Sequence, residues 1–385
     1  MKVFLIAGEP SGDALGGALM AGLINVAPTV AFSGVGGSAM QAQGLNSLFP
    51  MDELSVMGVA EVLPKYFHLK RRIAQTAEAV LQAQPDVLIT IDSPDFCLRV
   101  AKLVKAQSQI RVVHYVAPTV WAWRPKRAEK MARVVDHVLA LFPFEPPYMQ
   151  AAGMACDFVG HPAAGIPIVS QGETSEFRER HGLQDAQPLM LLLPGSRRGE
   201  VGRLGPRMAE AVGAIARENP DMRFVLPAAG PVAPLVREMT ASWPVTPVVL
   251  DPTGQRNETA EREKRAAFAA ADFALAASGT VALELAAART PMVSFYDFNW
   301  LSRIIMQRML QTDTGNLINL VTDTRTVPEF LGAQATPENL VRGMSELMAA
   351  PEAQRAAMDQ TMTALGRGGE NPGLRAAKAV LARLG

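Results

Sequence analysis

The chain has 385 residues, enough for two domains of ordinary size, each with its own core. Lysine plus arginine equals aspartate plus glutamate at 37 each, so no global field favours nucleic acid, and 49% hydrophobic with 19% charged residues describes a folded, water-soluble protein. The two cysteines, Cys97 and Cys156, make no disulfide framework and have no metal-ligand spacing, which fits buried thiols in a reducing cytoplasm.

In chain order, Lys2–Ala7 is the first strand, too short an apolar run for a signal peptide. Strands follow at Ala31–Val35, Asp86–Ile91, Arg111–Val116, His137–Leu141 and Asp157–Val159, with helical patterns such as Ala14–Asn25, Phe96–Ala106 and Lys126–Arg133 between them. This alternation predicts an α/β fold with a parallel sheet covered by helices on both faces. The pattern lapses into small residues and proline at His161–Pro167, a linker, and then resumes. Second-half strands are expected at Leu189–Leu193, Arg223–Leu226, Pro247–Leu250, Phe273–Ala276 and Met292–Tyr296. Pro337–Leu384 is helical in pattern, with a break at Gly366–Gly373. The simplest architecture is two doubly wound, Rossmann-like domains facing across a cleft, 1–164 and 165–349, with the helices of about 350–385 returning to the first. The longest weakly polar stretch, Ala266–Ala288, is interrupted by Asp272, Ser278, Gly279 and Glu284 and is no membrane span.

Ligands of such sheets sit at the carboxyl ends of the strands. The first strand ends in Gly8-Glu9-Pro10-Ser11-Gly12-Asp13, which is neither GxGxxG nor a Walker A loop, so NAD and ATP gain no support. Either this is a tight turn with Ser11 or Asp13 at a helix start, or Glu9, Ser11, Gly12 and Asp13 face a ligand; the polarity favours the second. Gly34-Val35-Gly36-Gly37 is a weaker version, equally explained by close helix packing. The third strand is apolar until Asp92, where a carboxylate can take a proton from a hydroxyl nucleophile or make a structural hydrogen bond. Asp95, after Pro94, reads as a helix cap. Trp121 and Trp123 stand beside Arg124, Lys126 and Arg127, either as a wall for a sugar or headgroup or as a packing corner. Phe142–Glu145 and Gly160-His161 are further strand-end turns, with His161 read as structural.

The five apolar residues Leu189–Leu193 then meet Pro194, Gly195, Ser196 and Arg197, and a helix runs from about Val201 to Arg217. Such a turn aims backbone N–H groups and a positive helix end at one point, which suits a phosphate, and Arg197 adds a planar fork of donors. An ordinary strand–turn–helix corner is the other reading. Ser278-Gly279-Thr280 repeats the arrangement before a helix at Val281–Arg289. Two adjacent helix N-termini suit a diphosphate, and Glu284 suits ribose hydroxyls; small-residue packing explains the turn but not that carboxylate.

Taken together, Ala7–Asp13, Val56-Met57-Gly58 with Glu61-Val62-Leu63, Ile91–Phe96, Tyr115–Arg124, Pro143-Phe144-Glu145, Gly160-His161, Leu193–Arg197, Ser278-Gly279-Thr280, Leu283-Glu284, Pro291-Met292-Val293 and Val327-Pro328-Glu329 resemble the lipid-A-disaccharide synthase family. These are inverting glycosyltransferases of the GT-B architecture. The chain departs from the family pattern at Cys97, where asparagine is usual, and at Gly332, where a glutamine usually follows. The resemblance implies transfer from UDP-2,3-diacylglucosamine to 2,3-diacylglucosamine 1-phosphate, giving the β-1,6 disaccharide and UDP on the way to lipopolysaccharide. It implies an acceptor-binding first domain and a UDP-sugar-binding second domain. Asp92 becomes the base, Arg197 with Gly195 and Ser196 the diphosphate site, Glu284 the ribose contact and Asn319 a further site residue. Ser278, Gly279, Thr280, Trp123 and Arg124 join the substrate-binding set. The resemblance implies no cofactor and no metal, and the sequence has no Asp-x-Asp pair to hold one. Acylated substrates imply a peripheral enzyme on the cytoplasmic face of the bacterial inner membrane, on an anionic surface. Leu54–Ile73, mixing Val56, Met57, Val59, Val62, Leu63, Tyr66, Phe67 and Leu69 with Lys65, Lys70, Arg71 and Arg72, fits that contact. A homodimer through the carboxyl-terminal helices is also implied. The alternatives are another GT-B enzyme on a UDP-N-acetylglucosamine-type donor, a nicotinamide oxidoreductase and a non-catalytic lipid-binding protein.

Overall fold

The computed structural model describes residues 1–54, 59–121, 126–183, 187–297 and 312–384, with side chains throughout except at 59–65. The chain divides into two compact units, 1–165 with 365–385, and 166–364. Each is built on a six-stranded, wholly parallel sheet.

In the first unit the strands are β1 (Lys2–Ala7), β2 (Ala31–Val35), β3 (Val87–Ile91), β4 (Arg111–Tyr115), β5 (His137–Ala140) and β6 (Ala155–Phe158), in the order β2-β1-β3-β4-β5-β6. β1 and β3 are almost wholly buried because helices cover both faces, which is why they read as continuous apolar runs. The order reverses at β1 and β3, so the loops after these two strands open a crevice between them. Glycine lets the backbones close up here. At Gly34, with φ +145°, a Cβ would run into the Leu5 carbonyl, and at Gly8 it would lie 2.6 Å from Ser93 Oγ.

The carboxyl-terminal helix Pro372–Leu381 lies on the helix Pro10–Val26. The two cross where Gly22 faces the Gly373 carbonyl, at 2.5 Å from the place a Cβ would occupy. Arg383 then clasps Asp157 through two hydrogen bonds of 2.6 and 3.0 Å, and His137 Nε2 meets the same carboxylate at 2.8 Å. The Arg383 fork holds the Asp157 carboxyl below its usual range. The return to the first unit begins at Leu365, whose carbonyl accepts from the His161 N–H.

The second unit has β7 (Leu189–Leu193), β8 (Arg223–Pro227), β9 (Val248–Leu250), β10 (Phe273–Ala277), β11 (Met292–Tyr296) and β12 (Glu329–Leu331), in the order β12-β11-β10-β7-β8-β9. Here the reversal falls at β7 and β10, paired in register from Phe273 with Met190 to Ala276 with Leu193. The helix Glu352–Ala364 belongs to this unit, and its buried Gln354 donates to the Met292 and Thr326 carbonyls. Among the described residues no helix is long and apolar enough to cross a membrane.

Candidate active site

In the first unit Asp92 closes β3 at the switch point, and its N–H donates to the Tyr115 carbonyl at 3.0 Å. Its backbone is left-handed, φ +51°, as is that of Ser93 at +42°, and on the neighbouring strand end Val116 stands at +86°. A left-handed β-branched residue is a genuine outlier, and each such position costs on the order of 1 kcal/mol or more. The backbone thus leaves the ordinary regions at the ends of two paired strands, where Asp92 emerges from the sheet. The carboxylate is partly buried, lines a cavity of about 440 Å³, and has no hydrogen bond or ion pair among the described residues. A hydroxyl placed there meets a free acceptor.

Other first-unit expectations are corrected. Asp95 is not the cap of its helix, Pro94–Lys105, whose N-cap is Ser93; Asp95 is exposed in the first turn, on the rim of that cavity. Asp13 is buried, with its carboxylate accepting from the N–H groups of Gly37, Ala39 and Met40 at 2.8, 2.8 and 3.0 Å. It holds the turn after β2 and is not turned to a ligand. Gly12 is buried where a Cβ would come within 3.3 Å of the Ile91 carbonyl, so it lets the first helix start against β3. Glu9 is the N-cap residue and Ser11 is exposed at the start of that helix. Trp123 and Arg124 lie outside the described residues. Trp121 packs edge-on to Phe144, with ring centroids 5.3 Å apart, and Phe144 stacks on Phe142, which meets His161. Beneath this cluster Glu145 is buried and accepts from the N–H groups of Leu141 and Phe142 at 3.1 and 3.0 Å. Burial pushes its carboxyl up to about 7, against the pull of those two donors, and burial also brings His161 down to about 4.

In the second unit the turns after β7 and β10 both line a cavity of about 680 Å³ that contains Gly195, Ser196, Arg197, Ser278, Gly279 and Thr280. The helices that follow are Arg198–Glu218 and Val281–Ala288, so two N-terminal helix ends face one space. Gly195 has φ +111°, and a Cβ there would press within 2.8 Å of Glu200 Oε2. The Arg197 side chain is 65% exposed and only loosely held, its guanidinium 3.4 Å from Glu200. Glu200 also accepts from the Ser196 N–H at 3.3 Å and from the Tyr296 hydroxyl at 3.3 Å.

The structure adds partners that sequence reasoning missed. Glu284 lines the same cavity but is already paired with Lys264, 2.6 Å away on the helix Asn257–Ala270. Ser278 donates to Glu329 at 2.7 Å, and the other oxygen of Glu329 accepts from Thr314 Oγ1 and the Gly315 N–H, each at 2.8 Å. Glu329 thus ties the β10 turn to the loop at 314–316. Asn319 does not reach the cavity. It is buried, and its amide donates to the Val327 carbonyl and Thr314 Oγ1 while accepting from the Val327 N–H, so every group is spent inside the fold. Of the two departures from the family pattern, Cys97 is fully buried with its thiol pushed up by burial, and Gly332 adopts φ +60°, a conformation that favours glycine.

A family model described as lipid-A-disaccharide synthetase matches residues 3–381. The lipid-A-disaccharide synthase of Ruegeria pomeroyi is 61% identical over 384 residues, covering all of this chain and 96% of its own length. That of Rhodospirillum centenum is 45% identical over 99% of this chain and 94% of its own. Among solved structures, a UDP-GlcNAc 2-epimerase from Neisseria meningitidis bound to UDP-GlcNAc superposes with a TM-score of 0.65 at 13% identity, covering all of this chain and 99% of its own, a likeness of fold.

Proposed function

The chain belongs to the lipid-A-disaccharide synthetase family, a family of glycosyltransferases, and from that premise we propose how its residues divide the work. The second unit binds UDP-2,3-diacylglucosamine and the first binds 2,3-diacylglucosamine 1-phosphate. The Asp92 carboxylate takes the proton from the acceptor's 6-hydroxyl as that oxygen attacks the anomeric carbon. The bond from that carbon to the UDP β-phosphate oxygen breaks on the opposite face, and its electron pair leaves with UDP. One displacement inverts the anomeric centre, so no enzyme nucleophile is required.

The observation that carries this reading is the pairing of two strand–turn–helix corners around one cavity, which Arg197 also lines while only loosely held by Glu200. The N–H groups of Gly195 and Ser196, with Arg197, receive the diphosphate, and the turn Ser278-Gly279-Thr280 receives its other side. Preorganised donors of this kind are worth ~3 kcal/mol each in a transition state. Glu284, oriented by Lys264, accepts from the ribose hydroxyls. Glu9 and Ser11 border the acceptor at the β1 end. Trp123 and Arg124 belong to the same proposal from sequence alone.

A peripheral position on the cytoplasmic face of the inner membrane is part of the proposal, since both substrates carry acyl chains. It is supported on the helix Val59–Ala83 by Phe67, 81% exposed, and Tyr66, 48% exposed, beside the exposed Lys70 and Arg71. The side chains of Val59, Val62, Leu63 and Lys65 lie outside the described residues, as do Val56 and Met57. A UDP-release assay with both diacyl sugars tests the reading. Release that needs both sugars supports it, and UDP binding with no release from the pair refutes it.

A further inference from the structure

The first-unit cavity holds more positive charge than proton abstraction needs. Arg99 and Lys102 lie one turn apart on the helix Pro94–Lys105, and Arg127 and Lys130 lie one turn apart on the helix Lys126–Met131; all four line the cavity that Asp92 lines. None of the four has a hydrogen bond or ion pair among the described residues. Nearby cations such as Arg72 and Lys105 are paired, with Glu53 and Asp136, whereas these four gather around one space with no such partner among the described residues. The acidic groups facing them are Asp92 and the exposed Asp95, and His114, which also lines the space, is kept neutral because burial brings it down to about 4. The floor is apolar, with Leu98, Val116, Met131 and Val134.

We propose that Arg99, Lys102, Arg127 and Lys130 form the subsite for the phosphate of the acceptor sugar, with Asp92 at the other end of the same cavity. The inference rests on the acceptor reading above and adds to it the residues that choose a phosphorylated acceptor. The geometry suits this. From Asp95 to Lys102 the helix advances roughly 10 Å at ~1.5 Å per residue, room for a sugar ring between a base at the strand end and cations one to two turns further on. Two guanidinium forks and two ammonium groups match phosphate oxygens as point charges and bidentate donors.

The test compares two acceptors, 2,3-diacylglucosamine 1-phosphate and the same sugar without phosphate, in the wild type and in the double variants Arg99→Gln/Lys102→Gln and Arg127→Gln/Lys130→Gln. The expected result is a KM for the phosphorylated acceptor raised about tenfold or more in each variant, from the loss of charge-assisted hydrogen bonds. The preference for phosphorylated over unphosphorylated acceptor should shrink by a similar factor, with calorimetric affinity for UDP unchanged. Circular dichroism and thermal melting confirm that the variants fold. A preference retained in both folded variants overturns the proposal. So does loss of sedimentation with phosphatidylglycerol vesicles at unchanged preference, which assigns the cations to the bilayer. If the wild type binds UDP but releases none from the pair of sugars, it is the acceptor reading itself that fails.

Discussion

Replacing Arg197 with glutamine isolates what its charge contributes to diphosphate binding. In the free protein the arginine side chain is 65% exposed and its contact with Glu200 is long, 3.4 Å, so the substitution removes little that stabilises the fold. Against a bound diphosphate the same group makes charge-assisted hydrogen bonds, worth ~1.5–3 kcal/mol when charge is involved. Its exposure places the loss at the lower end, and ~1.4 kcal/mol corresponds to a factor of ten in affinity. Calorimetry should therefore show UDP bound about tenfold more weakly by Arg197→Gln, with the difference narrowing as salt rises. Uridine, which carries no phosphate, should bind the two proteins alike. Unchanged affinity for UDP, or an equal loss for uridine, refutes the placement of Arg197 on the phosphates.

Three further outcomes follow from the geometry. Asn319→Ala should lower stability by about 1–3 kcal/mol in urea titration, because the buried Val327 N–H and C=O lose their partner, yet leave UDP affinity in place; a selective loss of UDP binding would return Asn319 to the ligand site. Gly22→Val should destabilise by about 1–3 kcal/mol by forcing a side chain onto the Gly373 backbone, and should expose the carboxyl-terminal helix to proteolysis; an unchanged digestion pattern would contradict the packing. Glu145 has a folded pKa of about 7, raised above its usual value by burial. Its contribution is therefore complete below about pH 4.5 and falls away as pH rises toward 7, by on the order of 3 kcal/mol. Glu145→Gln should flatten the pH dependence of unfolding across that window, and an identical profile in the two proteins argues against the buried carboxyl.

The elements that read most directly from sequence are those where an apolar run meets glycine, proline or charge on both sides. β1, β2, β7 and β11 begin and end where the pattern places them, because each is a short, largely apolar run bracketed by glycine, proline or charge, although β2 is an edge strand carrying Ser33 and β11 carries the buried Ser294. β12, three half-buried residues after Pro328, carries too little pattern to stand out. The first helix starts at Pro10, ahead of Ala14, because its opening turn of serine, glycine and aspartate hides the apolar period. At the sites, the strand–turn–helix corners were legible because their signal is local. The partners were not. Asp13 with the Gly37–Met40 backbone, Asn319 with Val327 and Glu284 with Lys264 are each joined by the tertiary fold across 8 to 27 residues, and no spacing rule announces them. A polar residue near a strand end was therefore as readily a structural tie as a ligand contact, and only its hydrogen-bond partners separate the two.

The substitution Asp92→Asn keeps the shape of the site and removes only the capacity to accept a proton. UDP release from the two diacyl sugars should fall by roughly 10²–10⁴-fold, the usual worth of a general base, while UDP affinity and thermal melting remain those of the parent. Turnover within a few-fold of the parent would show that the proton leaves by another route and that Asp92 is not the base.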